Sequence, residues 1–194
     1  MDCKIILASQ SPRRKELLEL MGIKEYDVMV SNIKEDLDEN IPVEEKVKKL
    51  AYHKAKDIFE KTEGNRIIIG SDTIVEKNNK IYGKPKDKID AINMLKEFSD
   101  SKVNVITAIA VLVAKDGKLI KEINYDLAEV YIKNMTQEEI KKWLDKGEAF
   151  DKAGAFAIQS SFCVHVEKIN GNYTTIMGLP THKLYDILKK YISY

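Results

Sequence analysis

Residues 7–18, LASQSPRRKELL, gather two hydroxyls and two guanidinium groups around one predicted strand-to-helix turn. The apolar run CKIILA before it reads as a strand, and Leu17, Leu18 and Met21 after it mark a helix face. Ser11 suits the N-cap and Pro12 the first helical position, where a missing N–H costs nothing. Gly22 suits the stop. A turn of this kind offers backbone N–H groups to an anion. Ser9 and Ser11 add hydroxyls, and Arg13 and Arg14 add bidentate cations. Two arginines where the helix dipole is already positive make sense with a polyanionic ligand; without one they simply face solvent. The turn lacks the GxxxxGK[ST] pattern, so it is not a Walker A loop.

Asp72 in GSDTIV follows three isoleucines, at the carboxyl end of a predicted buried strand. Ligands of open α/β sheets bind at such ends. A carboxylate there holds a divalent cation or accepts a proton from water, or else it is an ordinary turn aspartate. Glu35 is a second carboxylate in the acidic loop NIKEDLDEN, where spacing does not separate it from Asp36 and Asp38. Lys54 falls on the apolar stripe of its helix, so it either snorkels or lines a cleft. Lys84, in YGKPKD, is framed by Gly83 and Pro85. In DKAGAFAIQ the small residues permit close backbone approach, to a ligand or to a packing neighbour, and Gln159 presents an amide that can read a base edge. His53, His165 and His182 show no metal-ligand spacing, and no GxSxG elbow occurs.

These residues need elements to hold them. YDVMVS (26–31) reads as a short strand, and 43–61 as a helix with Val43, Val47, Leu50, Ala51, Lys54 and Ile58 on one face. RIIIGSDTIVEK (66–77) reads as a strand, a Gly-containing bend and a second extended piece. KNNK is a hairpin turn, and Asp87 caps a helix carrying Ile89, Ile92, Met94, Leu95 and Phe98 inward, with Asp90 as the reciprocal cap. Two long strands meet at Asp116-Gly117, and LAEVYIKN forms a further half-buried strand. TQEE (136–139) is a capping box for a helix containing Trp143. Two short strands around NGN follow, then a helix beginning at Pro180. The expected fold is α/β: a mixed twisted sheet flanked by helices, in one domain over 1–194.

Hydrophobic content of 44% against 32% charged is that of a globular core, and a net charge of +1 gives no overall field toward nucleic acid or an acidic membrane. No apolar run approaches the roughly 20 residues of a membrane span. Cys3 and Cys163 form no CxxC pair, and the start MDCKIILAS carries no charged-then-apolar leader. The expectation is a cytoplasmic protein with reduced thiols that binds neither nucleic acid nor membrane.

In this order, LASQSPRRKELL, LAYHKAK, GSDTIV, GKPKD, DKAGAFAIQ, INGNY and GLP resemble the Maf family of nucleoside triphosphate pyrophosphatases, also described as septum formation inhibitor proteins. The matching segments span residues 7 to 180. The resemblance implies a fold related to the inosine-triphosphate pyrophosphatases, with two lobes around a nucleotide cleft. It implies hydrolysis of a nucleoside triphosphate to monophosphate and pyrophosphate with a divalent metal, Mg or Mn. It assigns Asp72 as proton acceptor and metal ligand, Glu35 as a further metal ligand, and Lys54 and Lys84 as catalytic cations. A homodimer and a link to cell-division arrest are also expected.

Arginine after SP, threonine after the aspartate and glutamine closing AGA..IQ resemble the dTTP/UTP branch; here these are Arg13, Thr73 and Gln159. Ser9, Ser11 and Arg14 are then expected on the phosphates. An amide suits a neutral uracil or thymine edge, whereas the 7-methyl-GTP branch carries glutamate for a cationic base. This chain departs from the pattern at IQSS, where Ser160 replaces glycine, and at Lys34, which replaces an acidic residue. The alternatives are a nucleotide-binding septation regulator with little turnover, a 7-methyl-GTP pyrophosphatase and a nucleotidyltransferase.

Overall fold

Three isoleucines in a row, Ile67 to Ile69, are completely buried, as a strand covered on both faces requires. They belong to β3 (Arg66–Lys77) of a seven-stranded mixed sheet in a computed structural model that describes residues 3–33 and 41–192. The sheet order is β2 (Asp27–Val28), β1 (Lys4–Leu7), β3, β5 (Ser101–Lys115), β6 (Lys118–Ile132) and β7 (Val166–Asn170), with β4 (Lys80–Tyr82) paired to β3. Strands β2 and β3 both run parallel to β1, and β4 and β7 run antiparallel to their partners. The helices are α1 (Pro12–Leu20), α2 (Val43–Glu60), α3 (Lys88–Phe98), α4 (Gln137–Leu144), α5 (Tyr173–Met177) and α6 (Thr181–Leu188). None of those described is long and apolar enough to cross a membrane.

The chain forms two compact units. The first comprises residues 1–72, 107–126 and 178–194, the second 73–106 and 127–177. The first has an aliphatic core that includes Leu7, Leu18, Ile58, Ile67, Ile68, Ile69 and Ile109. The second is built on rings: Tyr82, Phe98, Phe156, Phe162 and Trp143 follow one another at centroid separations of 4.7–6.1 Å. Trp143 sits within this core because its Nε1–H finds the Ala155 carbonyl at 2.8 Å.

Local chemistry sets the ends of the elements. Helix α1 closes with paired bonds from Gly22 N–H to Glu19 O and from Ile23 N–H to Leu18 O, with Gly22 at φ +85°. Asn78-Asn79 and Asp116-Gly117 take positive φ at both positions, the geometry of a two-residue hairpin. The Thr136–Glu139 capping box forms in both directions. Asp87 caps α3 through Asp90 N–H, but the Asp90 carboxylate accepts from Lys86 N–H, one residue earlier than a reciprocal box.

Some expectations give way. The strand over 26–31 is confined to Asp27–Val28. Ile89 is 71% exposed and lies off the buried face of α3. LAEVYIKN does not form a separate strand, because β6 runs unbroken from Lys118 to Ile132. After NGN comes the short helix α5 and no second strand, since Gly171 turns the chain at φ +119° and Asn172 Oδ1 accepts from Thr174 N–H. Residues 66–77 contain no bend at Gly70, a difference that shapes the site.

Candidate functional site

Strand β3 stays extended through Gly70 because this glycine serves a different purpose. A Cβ built on it would lie 2.3 Å from the Ala51 carbonyl oxygen and 2.8 Å from the Ala55 nitrogen. Helix α2 therefore rests its backbone directly on the strand, through two fully buried alanines one turn apart. That approach delivers Lys54, the neighbour of Ala55, to Asp72, two residues along the same face of β3. The Lys54 ammonium and Asp72 Oδ1 form an ion pair, their side chains only 16% and 10% exposed. Burying a carboxylate is costly unless it is paired and hydrogen-bonded, and Lys54 supplies that compensation.

Asp72 lies three residues beyond Leu7↔Ile69, the last parallel pair of β1 and β3. In the order β2-β1-β3-β5 the chain leaving β1 turns to β2 on one side and the chain leaving β3 goes on to β5 on the other, the switch point beside which α/β sheets bind ligands. Just past the end of β1, Ser9 is buried, and its Oγ accepts from Ser11 N–H at 3.2 Å and from Arg14 Nη1 at 3.1 Å. Arg14 Nε also donates to the Gly178 carbonyl at 2.8 Å. Ser71 Oγ reaches that same carbonyl and the Ala108 carbonyl, each at 2.9 Å. The Arg14 guanidinium is thus held from two sides at a helix N-terminus whose first turn contains no acidic residue. Ser11 occupies the N-cap but makes no side-chain capping bond, contrary to expectation; its backbone N–H donates to Ser9 Oγ. Arg13 is half-buried in the same turn.

The first unit therefore pairs Ser9 with Arg14 and Lys54 with Asp72. The remaining candidates belong to the second unit. Thr73 begins its share of β3 and is half-buried. Lys84 is exposed in a bend after β4, with no ion-pair partner among the described residues. Its neighbour Gly83 offers a carbonyl that accepts from Gly154 N–H at 2.9 Å, so the GKP and AGA segments brace each other. Gly154 and Ala155 both take positive φ, and a Cβ on Gly154 would lie 3.0 Å from the Phe98 ring. Gln159 is exposed in the turn that follows. Ser160, the departure from the family pattern, caps the 3-10 turn 161–165: its Oγ accepts from Phe162 N–H at 3.3 Å and lies 2.9 Å from the Ala157 carbonyl. Glu35 falls outside the described residues.

Two contributors were not anticipated. Ser71 was visible only as a polar residue inside an apolar strand. Gly178 belongs to the GLP segment, and it acts through its carbonyl, which side-chain chemistry does not advertise.

The Maf-like protein family model matches residues 4–191. A dTTP/UTP pyrophosphatase of Alkaliphilus metalliredigens is 44% identical over 97% of this chain and 96% of its own length. Proteins of the same name from Lachnoclostridium phytofermentans and a Thermoanaerobacter species are 43% and 42% identical, over 97% and 96% of this chain and 95% and 96% of their own. A solved dITP/XTP pyrophosphatase from Mycobacterium abscessus aligns with 97% of this chain and 94% of its own at 11% identity, with a TM-score of 0.43.

Proposed function

We propose that this chain, which belongs to the Maf family, hydrolyses nucleoside triphosphates, dTTP and UTP foremost, to the monophosphate and pyrophosphate. The observation that carries this reading is the Lys54–Asp72 pair just beyond the end of the β1–β3 parallel pairing, in the same unit as the clamped guanidinium of Arg14. The names of relatives 42–44% identical over nearly the whole chain supply the substrate class.

Water attacks the α-phosphorus and pyrophosphate leaves. Asp72 orients that water and takes its proton, while Lys54 fixes the carboxylate and offsets phosphate charge. Arg14, Ser9 and the α1 N-terminus hold phosphate oxygens, and Lys84 steadies the leaving group. Arg13, Thr73 and Gln159 sort bases, the amide of Gln159 matching the neutral edge of a pyrimidine.

No three His, Cys, Asp or Glu side chains cluster among the described residues. Asp72 nonetheless supplies a hard carboxylate oxygen, and Mg²⁺ is commonly held by one or two carboxylates together with substrate phosphates. That donor chemistry fits a metal–triphosphate complex at Asp72, with Glu35 as the proposed second ligand. When bound, Mg or Mn neutralises charge on the phosphate oxygens. The proposed cellular role is clearing unwanted nucleotides, with a link to cell-division arrest as a separate proposal.

The deciding experiment assays dTTP, UTP, CTP, modified pyrimidine triphosphates and 7-methyl-GTP for pyrophosphate release with Mg²⁺ or Mn²⁺ and no added acceptor. Monophosphate and pyrophosphate from dTTP and UTP support the reading. A clear preference for 7-methyl-GTP overturns the substrate class, and binding without turnover overturns the activity.

A further inference from the structure

At the start of β3, away from Asp72, lies a second concentration of positive charge. Arg66 begins the strand, six residues and roughly 20 Å before Asp72 at the rise of an extended chain. It is only 8% exposed, yet no carboxylate pairs with it among the described residues. Nη1 donates to the Gly64 carbonyl at 2.6 Å and Nη2 to the Phe59 carbonyl at 3.1 Å, and the guanidinium lies 4.3 Å from the Phe59 ring centroid. Nε is fully buried without an acceptor. Five N–H donors thus meet two carbonyls, and a nearly buried charge has no counter-ion. Proteins seldom leave a buried charge so, because an unsatisfied buried charged group is expensive.

Arg66 lines an open pocket of about 300 Å³ that also takes in Lys115 and Lys118 and no carboxylate. The adjoining turn carboxylate, Asp116, is engaged by Asn65, whose Nδ2 lies 3.4 Å from it. Leu119, Ala114 and the Phe59 ring give the pocket an apolar wall. Its volume is at the lower end of small-molecule sites and well beyond what a bare phosphate fills.

We infer that this pocket is an anion site, separate from the Asp72 site, for a small phosphate monoester with a short apolar body. The phosphate meets the ammonium groups of Lys115 and Lys118, the buried Arg66 charge lies behind them, and the apolar body lies on Leu119. Lys115 and Lys118 are exposed next to the β5–β6 turn, so reversing their charge leaves the core intact.

Amide NMR of the full chain, titrated with phenyl phosphate and separately with inorganic phosphate, tests the site without reference to activity. Phenyl phosphate is expected to shift the amides of Asn65 and 115–119 and to bind there at least tenfold tighter than inorganic phosphate. The Lys115→Glu/Lys118→Glu double variant is expected to weaken those shifts at least tenfold while leaving any shifts at residues 9–14 unchanged. Shifts confined to residues 9–14, shifts at 115–119 that survive the charge reversal, or equal affinity for the two probes would each overturn the proposal.

Discussion

Two lysine–carboxylate pairs, one in each compact unit, sit in contrasting settings. In the first unit Lys54 meets Asp72, with both side chains at least 84% buried. In the second unit Lys102 meets Glu129 at 2.5 Å, with side chains 44% and 19% exposed. The chemistry of the two pairs is the same and their settings are opposite. Asp72 sits beyond the end of a parallel pairing, where a sheet leaves room for a ligand. Glu129 sits inside the β5-β6-β7 ladder and also accepts from Asn170 Nδ2 at 2.8 Å and Tyr131 OH at 3.1 Å. Each strand sends it one donor or more, so it serves as a knot between strands. An ion pair alone therefore does not mark a catalytic group; its place relative to the strand ends, and whether its other partners are structural, decide the role.

The largest effect expected from this contrast is at Asp72. Asp72→Asn keeps the side-chain shape and removes the proton acceptor, so kcat should fall on the order of 10²–10⁴-fold. Steady-state kinetics on dTTP measure this, with a urea melt to check that the fold persists. A twofold loss would place Asp72 with Glu129 among the structural carboxylates and remove the distinction.

A smaller effect is expected at the contact that creates the first pair. Gly70→Ala puts a methyl group 2.3 Å from the Ala51 carbonyl, which is backbone and cannot swing aside. Helix α2 must back away from β3, an overpacking that costs about 1–3 kcal/mol. Lys54 moves with it, so activity should fall further than stability explains. Thermal melts and kinetics on one preparation separate the two. A fully active, fully stable variant would mean that α2 does not rest on the strand as closely as 2.3 Å requires.

This contact also shows where sequence reading stops. The Asn78-Asn79 and Asp116-Gly117 turns, the Asp87 cap and the Thr136–Glu139 box were all legible, because each is settled within four residues. Lys54 was legible as an oddity on an apolar stripe. Its partner, 18 residues away, was not, since nothing local relates a helix position to a strand position. Gly70 invited a bend because glycine permits one; only the fold reveals that a helix backbone needs the space. Ser11 looked like a cap by type and does occupy the N-cap, yet its hydroxyl makes no capping bond. The grouping of Ser9 with Arg14 was readable from LASQSPRRKELL, but the carbonyl of Gly178, 164 residues from Arg14, was not. Ser160 was read as a departure beside the base, and its capping of the next turn is a local reason for a hydroxyl there.

The smallest effect belongs to the second pair and appears only in acid. The Lys102 ammonium, then Asn170 and Tyr131, hold the Glu129 carboxyl down from 4.5 to about 2. A carboxyl whose folded pKa lies below its unfolded value binds more protons when unfolded, so its contribution to stability is present above about 4.5 and is lost as pH falls toward about 2. Glu129→Gln discards that contribution at every pH. Wild type should therefore unfold at higher urea than the variant at pH 7, and the gap should narrow steadily between pH 4.5 and 2. Because the pair is exposed to solvent and salt, the gap at pH 7 should be the least of the three effects. The variant's kcat on dTTP should stay within about twofold of wild type, since Glu129 orients no water in this assignment. A gap that widened in acid would reverse the sign of the linkage, and a large fall in kcat would make Glu129 a second functional carboxylate, erasing the difference between the two pairs.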